Sequence, residues 1–128
     1  MRTATLVLPF PPSTNGLFSG KKRRFPSPRY KAWQIEANKA LAYQSPLPRF
    51  DGPVFVGLAF GRPDKRRRDL GNLEKAVTDQ LVKNGVLEDD SLIEELRLCW
   101  SPDVVGCEVN IRAMTQLDRR EAAARLTA

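Results

Sequence analysis

Asp69, Lys75 and the adjacent pair Asp89-Asp90 are the side chains of this 128-residue chain whose types and spacing suit phosphate chemistry. Just upstream, Arg62–Arg68 carries five basic side chains among seven residues. A carboxylate entering a helix and another opening a strand can converge where helix and strand pack side by side. Magnesium suits such a site: a few carboxylates, several waters and substrate phosphate oxygens in near-octahedral array. Such an ion lowers the pKa of a bound water and stabilises charge on a phosphate in transit. Nearby lysines and arginines would draw in a DNA or RNA backbone. Taken singly, each residue has a plainer reading. An Asp at a helix entrance caps it, Asp-Asp before a strand makes a turn, and a basic run is a solvated face. Lys75 alone reads as a surface lysine paired with Asp79, four residues on. Only the combination points to chemistry.

Composition narrows the choice. Histidine is absent, which removes Ser–His and Cys–His nucleophile pairs and His-ligated zinc. The two cysteines, Cys99 and Cys107, are too few for an all-Cys zinc site. Proton transfer or metal chemistry must therefore use carboxylates, lysine, tyrosine or bound water. Lys and Arg number 21 against 15 Asp and Glu, a net charge of +6, which points to a polyanionic partner. A hydrophobic content of 41% supports one modest core. No apolar run approaches the roughly 20 residues that span a bilayer, so no membrane partner is expected. Met1–Phe10 has no signal-peptide pattern, so the expected setting is a cytoplasm with both thiols reduced.

The elements that must position these residues follow from periodicity. Thr3–Pro9 reads as a strand, followed by the turn Pro11–Gly16 and a basic loop, Lys21-Lys22-Arg23-Arg24. Over 29–44, Tyr30, Trp33, Ala37, Ala40 and Leu41 form one helical stripe. Pro53–Gly61 reads as a strand with both faces covered. A second helix is expected over about 70–84, with Asp69 as N-cap, Leu70, Leu73, Val77 and Leu81 inward, and Gly85 at its end. On that helix Lys75 lies one turn past Gly71, nearly opposite the apolar stripe. Leu92–Trp100 and Cys107–Ala113 read as strands and suggest an antiparallel hairpin. The fold class is α/β in the α+β sense. It is one mixed sheet of about four strands with two main helices packed on it, in the order β-α-β-α-β-β. The domain spans residues 1–116, and 117–128 form a terminal helix or tail.

The run Arg66-Arg67-Arg68-Asp69-Leu70-Gly71-Asn72-Leu73-Glu74-Lys75-Ala76, then Asp79, Leu81, Gly85 and Asp89-Asp90, resembles the signature block of the RusA family. The opening Leu8-Pro9-Phe10-Pro11-Pro12-Ser13-Thr14-Asn15 resembles that family's N-terminal motif. These are Holliday-junction resolvases of bacteria and their phages. The resemblance implies a cytoplasmic homodimer that binds four-way DNA junctions in recombination and repair. It implies paired nicks made with Mg2+, with Mn2+ as a substitute. By position it implies Asp69 and Asp90 as metal ligands and catalytic residues. Lys75 would stabilise developing charge or orient the attacking water. Asn72 also matches the motif. Asn15 is implied as a DNA contact or a loop-ordering residue. The cations Lys65, Arg66, Arg67, Arg68 and Lys21 to Arg24 would hold phosphates of the junction arms.

The departure is at residue 71, where the family's second metal-binding aspartate is replaced by Gly71. Glu74 and Asp89 are the acids near enough in sequence to substitute. The first expectation is a junction endonuclease with cleavage impaired by Gly71. Its rival is a catalytically inactive branched-DNA-binding protein of the same fold. A weaker third option is a basic RNA-binding module. Phe18, Phe25 and Trp100 are candidates for a dimer interface, although aromatics are more often packed.

Overall fold

The computed structural model describes residues 2–127. One mixed sheet carries the fold. Its strands are β1 (Thr3–Leu8), β4 (Val54–Phe60), β5 (Ile93–Trp100) and β6 (Cys107–Ala113), in the spatial order β1-β6-β4-β5. A two-stranded ribbon, β2 (Phe18–Ser19) with β3 (Phe25–Pro26), holds the first basic loop at its tip. Helices α1 (Pro28–Tyr43), α2 (Glu74–Lys83) and α3 (Gln116–Thr127) complete the chain. No helix among the described residues is long and apolar enough to cross a membrane.

Alternation builds the core. Leu6 and Leu8 of β1, Val54, Val56, Leu58 and Phe60 of β4, and Cys107, Val109 and Ile111 of β6 point to one face and are buried. Tyr30, Trp33, Ala37 and Leu41 of α1 are buried in the same cluster, as are Ala76, Val77 and Leu81 of α2. Ser27 caps α1 by accepting from the Tyr30 N–H at 3.1 Å, with Pro28 in the first turn. Gln44, just past α1, lies along the free edge of β1. Its Oε1 accepts from the Val7 N–H at 2.7 Å and its Nε2 donates to the Val7 carbonyl at 2.8 Å.

The expected hairpin between the last two strands does not form. β5 pairs with β4 in parallel, while β6 is antiparallel to both β4 and β1. The chain leaves β5, crosses over the end of β4 and enters the sheet on its other side. The crossing is tight at Gly61, where a Cβ would meet the Val104 carbonyl oxygen at 1.7 Å. Burial explains the choice. Every inward residue of β6 is sealed, as a central strand requires, whereas β5 is a partly exposed edge.

The second helix also differs from its expected form. A 3₁₀ turn, Leu70–Asn72, comes first, and α2 starts at Glu74. Asp69 precedes that turn without a side-chain capping bond. Gly85, at φ +77°, follows the end of α2 as expected. The helix α3, Gln116–Thr127, packs against β5 through Arg119–Glu94 at 2.8 Å and Arg125–Glu95 at 3.6 Å; Ala128 lies outside the described residues. Both cysteines are free. Cys99 is exposed, and burial pushes the Cys107 thiol up to about 12.

Candidate active site

Two loops converge on Asp69. Thr14 Oγ1 donates to the Asn72 carbonyl at 3.0 Å, tying the N-terminal loop to the turn after Asp69. Ser27 Oγ donates to the Gly16 carbonyl at 2.6 Å, tying the same loop to the start of α1. Between them lies a groove of about 270 Å³, lined by Ser13, Asn15, Arg29, Arg66, Arg67, Arg68, Asp69 and Asn72. Asn15 and Asn72, far apart in the chain, are thus neighbours of Asp69. The Asp69 carboxylate is exposed, and its one side-chain partner among the described residues is Asn72, donating at 3.5 Å.

The adjacent acids Asp89 and Asp90 have different environments. Asp89 caps the next 3₁₀ turn, accepting from the Ser91 N–H at 3.1 Å and from the Ser91 hydroxyl. Those bonds hold its carboxyl below the usual range, and Asp89 is occupied as a structural cap. Among the described residues no hydrogen bond or ion pair engages the Asp90 side chain. The turn Asp90–Leu92 packs against α2, and the turn after Asp69 packs against β5.

Lys75 stands on the first turn of α2. Its ammonium is 3.2 Å from Asp79, and this pairing raises its pKa, with smaller contributions from the charges of Asp90 and Glu74. Lys75 and Asp90 are therefore within electrostatic reach. Tyr30 is buried beside the Lys75–Asp79 pair. Burial first, and the Asp79 charge second, push its phenol up. Glu74 turns back along its own helix, accepting from Thr78 Oγ1 at 2.8 Å.

Gly71 is exposed, has no positive φ, and an added Cβ would meet nothing within 4 Å. Neither backbone nor packing requires glycine there. Among the described residues no group of three His, Cys, Asp or Glu side chains is gathered tightly enough to hold a metal ion. Of the four acids singled out in the sequence, Glu74 is engaged by Thr78 and Asp89 by Ser91, whereas Asp69 and Asp90 cap nothing; Asp69 lines the groove and Asp90 is not among its lining residues. Two carboxylates fit a magnesium ion that draws its remaining ligands from water and substrate phosphate.

The basic residues divide sharply. Asp64 grips Arg66 at 3.2 Å and Arg68 at 2.6 Å, and the Arg68 side chain is 18% exposed. Lys65, Arg67 and the four cations Lys21 to Arg24 are exposed, with no ion pair among the described residues. Arg29 was not singled out by sequence reasoning, yet it lines the groove beside Asp69. The available signal was its place in the first turn of α1, where a cation is disfavoured by the helix dipole. Phe18 and Phe25 are 39% and 49% exposed, whereas Trp100 stacks on Phe10 at 6.3 Å beneath Arg62.

The family description "Endodeoxyribonuclease RusA" matches residues 9–112, which include every residue of this groove. The chain is 31% identical over 107 residues to the crossover junction endodeoxyribonuclease RusA of Escherichia coli strain K12, covering 83% of this chain and 89% of that protein. Identity and coverage are the same for the proteins of that name from Shigella sonnei strain Ss046 and Enterobacteria phage 82. With the match spanning three of the four sheet strands, both main helices and both acidic turns, the chain belongs to the RusA family of endodeoxyribonucleases.

Proposed function

We propose that this chain binds four-way DNA junctions and resolves them by paired, metal-dependent nicks. The observation that carries the reading is the groove at Asp69, with Asn15, Arg29, Arg67 and Asn72 along it and Lys75 on the adjoining first turn of α2. Arg29 and Arg67 contact phosphates flanking the scissile bond, and their charge offsets the repulsion between a phosphodiester and two carboxylates. Asp69 and Asp90 would hold a magnesium or manganese ion, which when bound would polarise phosphate oxygen and acidify a water. Lys75, fixed by Asp79, stabilises the charge that grows on the phosphorus substituents during attack. Asn15 and Asn72 order the strand by hydrogen bonds to its backbone. A four-way junction has two-fold symmetry, so paired nicks call for a homodimer with two matching sites.

Gly71 favours a second reading, a junction-binding protein that does not cut, because glycine supplies no carboxylate at that position and Asp69 is the one acid lining the groove among the described residues. A labelled synthetic junction incubated with magnesium or manganese separates the two. Symmetric nicks support the endonuclease. Retarded but intact junction supports the binder. Gly71→Asp meets no steric barrier and is expected to raise cleavage about a hundredfold or more. In that background Asp90→Asn abolishes cutting and leaves junction binding in place. Full cleavage by the double variant removes Asp90 from the site.

A further inference from the structure

Asp64 is the one acid inside the longer of the chain's two basic runs, Arg62–Arg68. For a loop whose task is only to attract a polyanion, that placement is self-defeating, since the carboxylate subtracts from the field. The geometry shows what it does instead. Its Oδ1 accepts from the Arg66 N–H at 2.8 Å and from Arg68 Nη1 at 2.6 Å. Its Oδ2 accepts from Arg68 Nη2 at 3.0 Å and from Arg66 Nε and Nη2 at 3.2 Å each. Arg68 is held from the other side as well, with its guanidinium carbon 5.5 Å from the centre of the Phe10 ring. One carboxylate thus closes a five-residue loop that ends directly at Asp69.

We propose that Asp64 is a positioning residue for nucleic-acid phosphates. By locking Arg66 and Arg68 into one knot, it presents the free Arg67 and the groove at Asp69 in a fixed arrangement. The proposal rests on the junction-binding reading above. Its physical basis is preorganisation. Long side chains ordered before binding need not be ordered during it, and affinity rises accordingly. Arg68 is the part of the knot that only an arginine can fill. A planar fork meets both carboxylate oxygens, whereas a lysine ammonium meets them as a point charge.

Charge and position predict opposite signs, which makes the test decisive. Equilibrium binding of a synthetic four-way junction is measured across a potassium chloride series for the unaltered chain, Asp64→Asn and Arg68→Lys. Asp64→Asn adds one unit of positive charge. Positioning predicts about fivefold weaker binding despite that gain. If the carboxylate acts through its charge alone, the variant binds more tightly and the salt slope steepens by up to about 0.9; that result overturns the proposal. Arg68→Lys keeps the charge and loses the fork, so a comparable weakening is expected, and unchanged affinity likewise overturns it. Circular dichroism shows whether each variant is folded, and the two substitutions fail independently. If the unaltered chain does not bind the junction, the functional reading falls and takes this inference with it. If it binds and Asp64→Asn tightens the complex, only the role of Asp64 falls.

Discussion

The two clusters of positive charge look alike in the sequence and are built differently in three dimensions. Lys21–Arg24 forms the tip of a ribbon whose strands are two residues each, and no acid among the described residues pairs with it. Lys65–Arg68 is wrapped around Asp64 and leans on Phe10, which stacks on Trp100. The difference teaches that charge count is not contact count. A mobile cation adds to long-range attraction but loses side-chain freedom on contact, whereas a braced one has lost it already.

The largest expected effect comes from stripping the braced loop. Arg66→Ala, Arg67→Ala and Arg68→Ala together lower junction affinity about a hundredfold at moderate salt and flatten the salt slope by about two units. Removing all four cations of the ribbon tip by alanine substitution costs less, about tenfold, although one more charge is lost. Should the ribbon prove the costlier loss, the contrast between the loops is wrong. Gly20→Ala probes the ribbon without touching its charge. Gly20 has φ +97°, and a Cβ there would lie 2.2 Å from the Arg23 carbonyl, so the turn must be redrawn. A loss of about threefold or less in affinity is expected, with an unchanged salt slope.

The smallest effect is with pH. Arg68 and the Arg66 N–H hold the Asp64 carboxyl well below the usual carboxylate range. A depressed folded-state pKa places the stabilisation above the unfolded value of about 3.9, and it is lost as pH falls through the folded value. The braced loop is therefore expected to keep its share of binding, measured as the ratio to Asp64→Asn, from pH 7 down to about 4. A ratio that collapses well above that range would mean that the knot does not persist in solution.

Local patterns revealed much of this architecture and none of its pairing. The clean alternation of Cys107, Val109 and Ile111 marks a strand, and the stripe through Tyr30, Trp33 and Leu41 marks a helix; both are present. Alternation says which face is inward but not which strand lies alongside, and β4 lies between β5 and β6 where a hairpin is expected. Leu70 and Leu73 keep the apolar stripe of α2, which hides the 3₁₀ turn before it. Around the groove, the acids were visible as residue types, but their partners were not. Ser91 occupies Asp89 and leaves Asp90, a distinction made by one hydroxyl and one N–H. Arg29 and Asp64 carry no such signal, because an isolated cation and an acid among cations look like ordinary surface.

Gln44 has a consequence for the molecule in a crowded cell. With both amide atoms committed to Val7, that border of the sheet is closed at Val7 to a strand from a neighbouring molecule. A basic protein concentrated along DNA meets its own copies at close range. A side-chain stopper of this kind lets them crowd together without growing into ribbons.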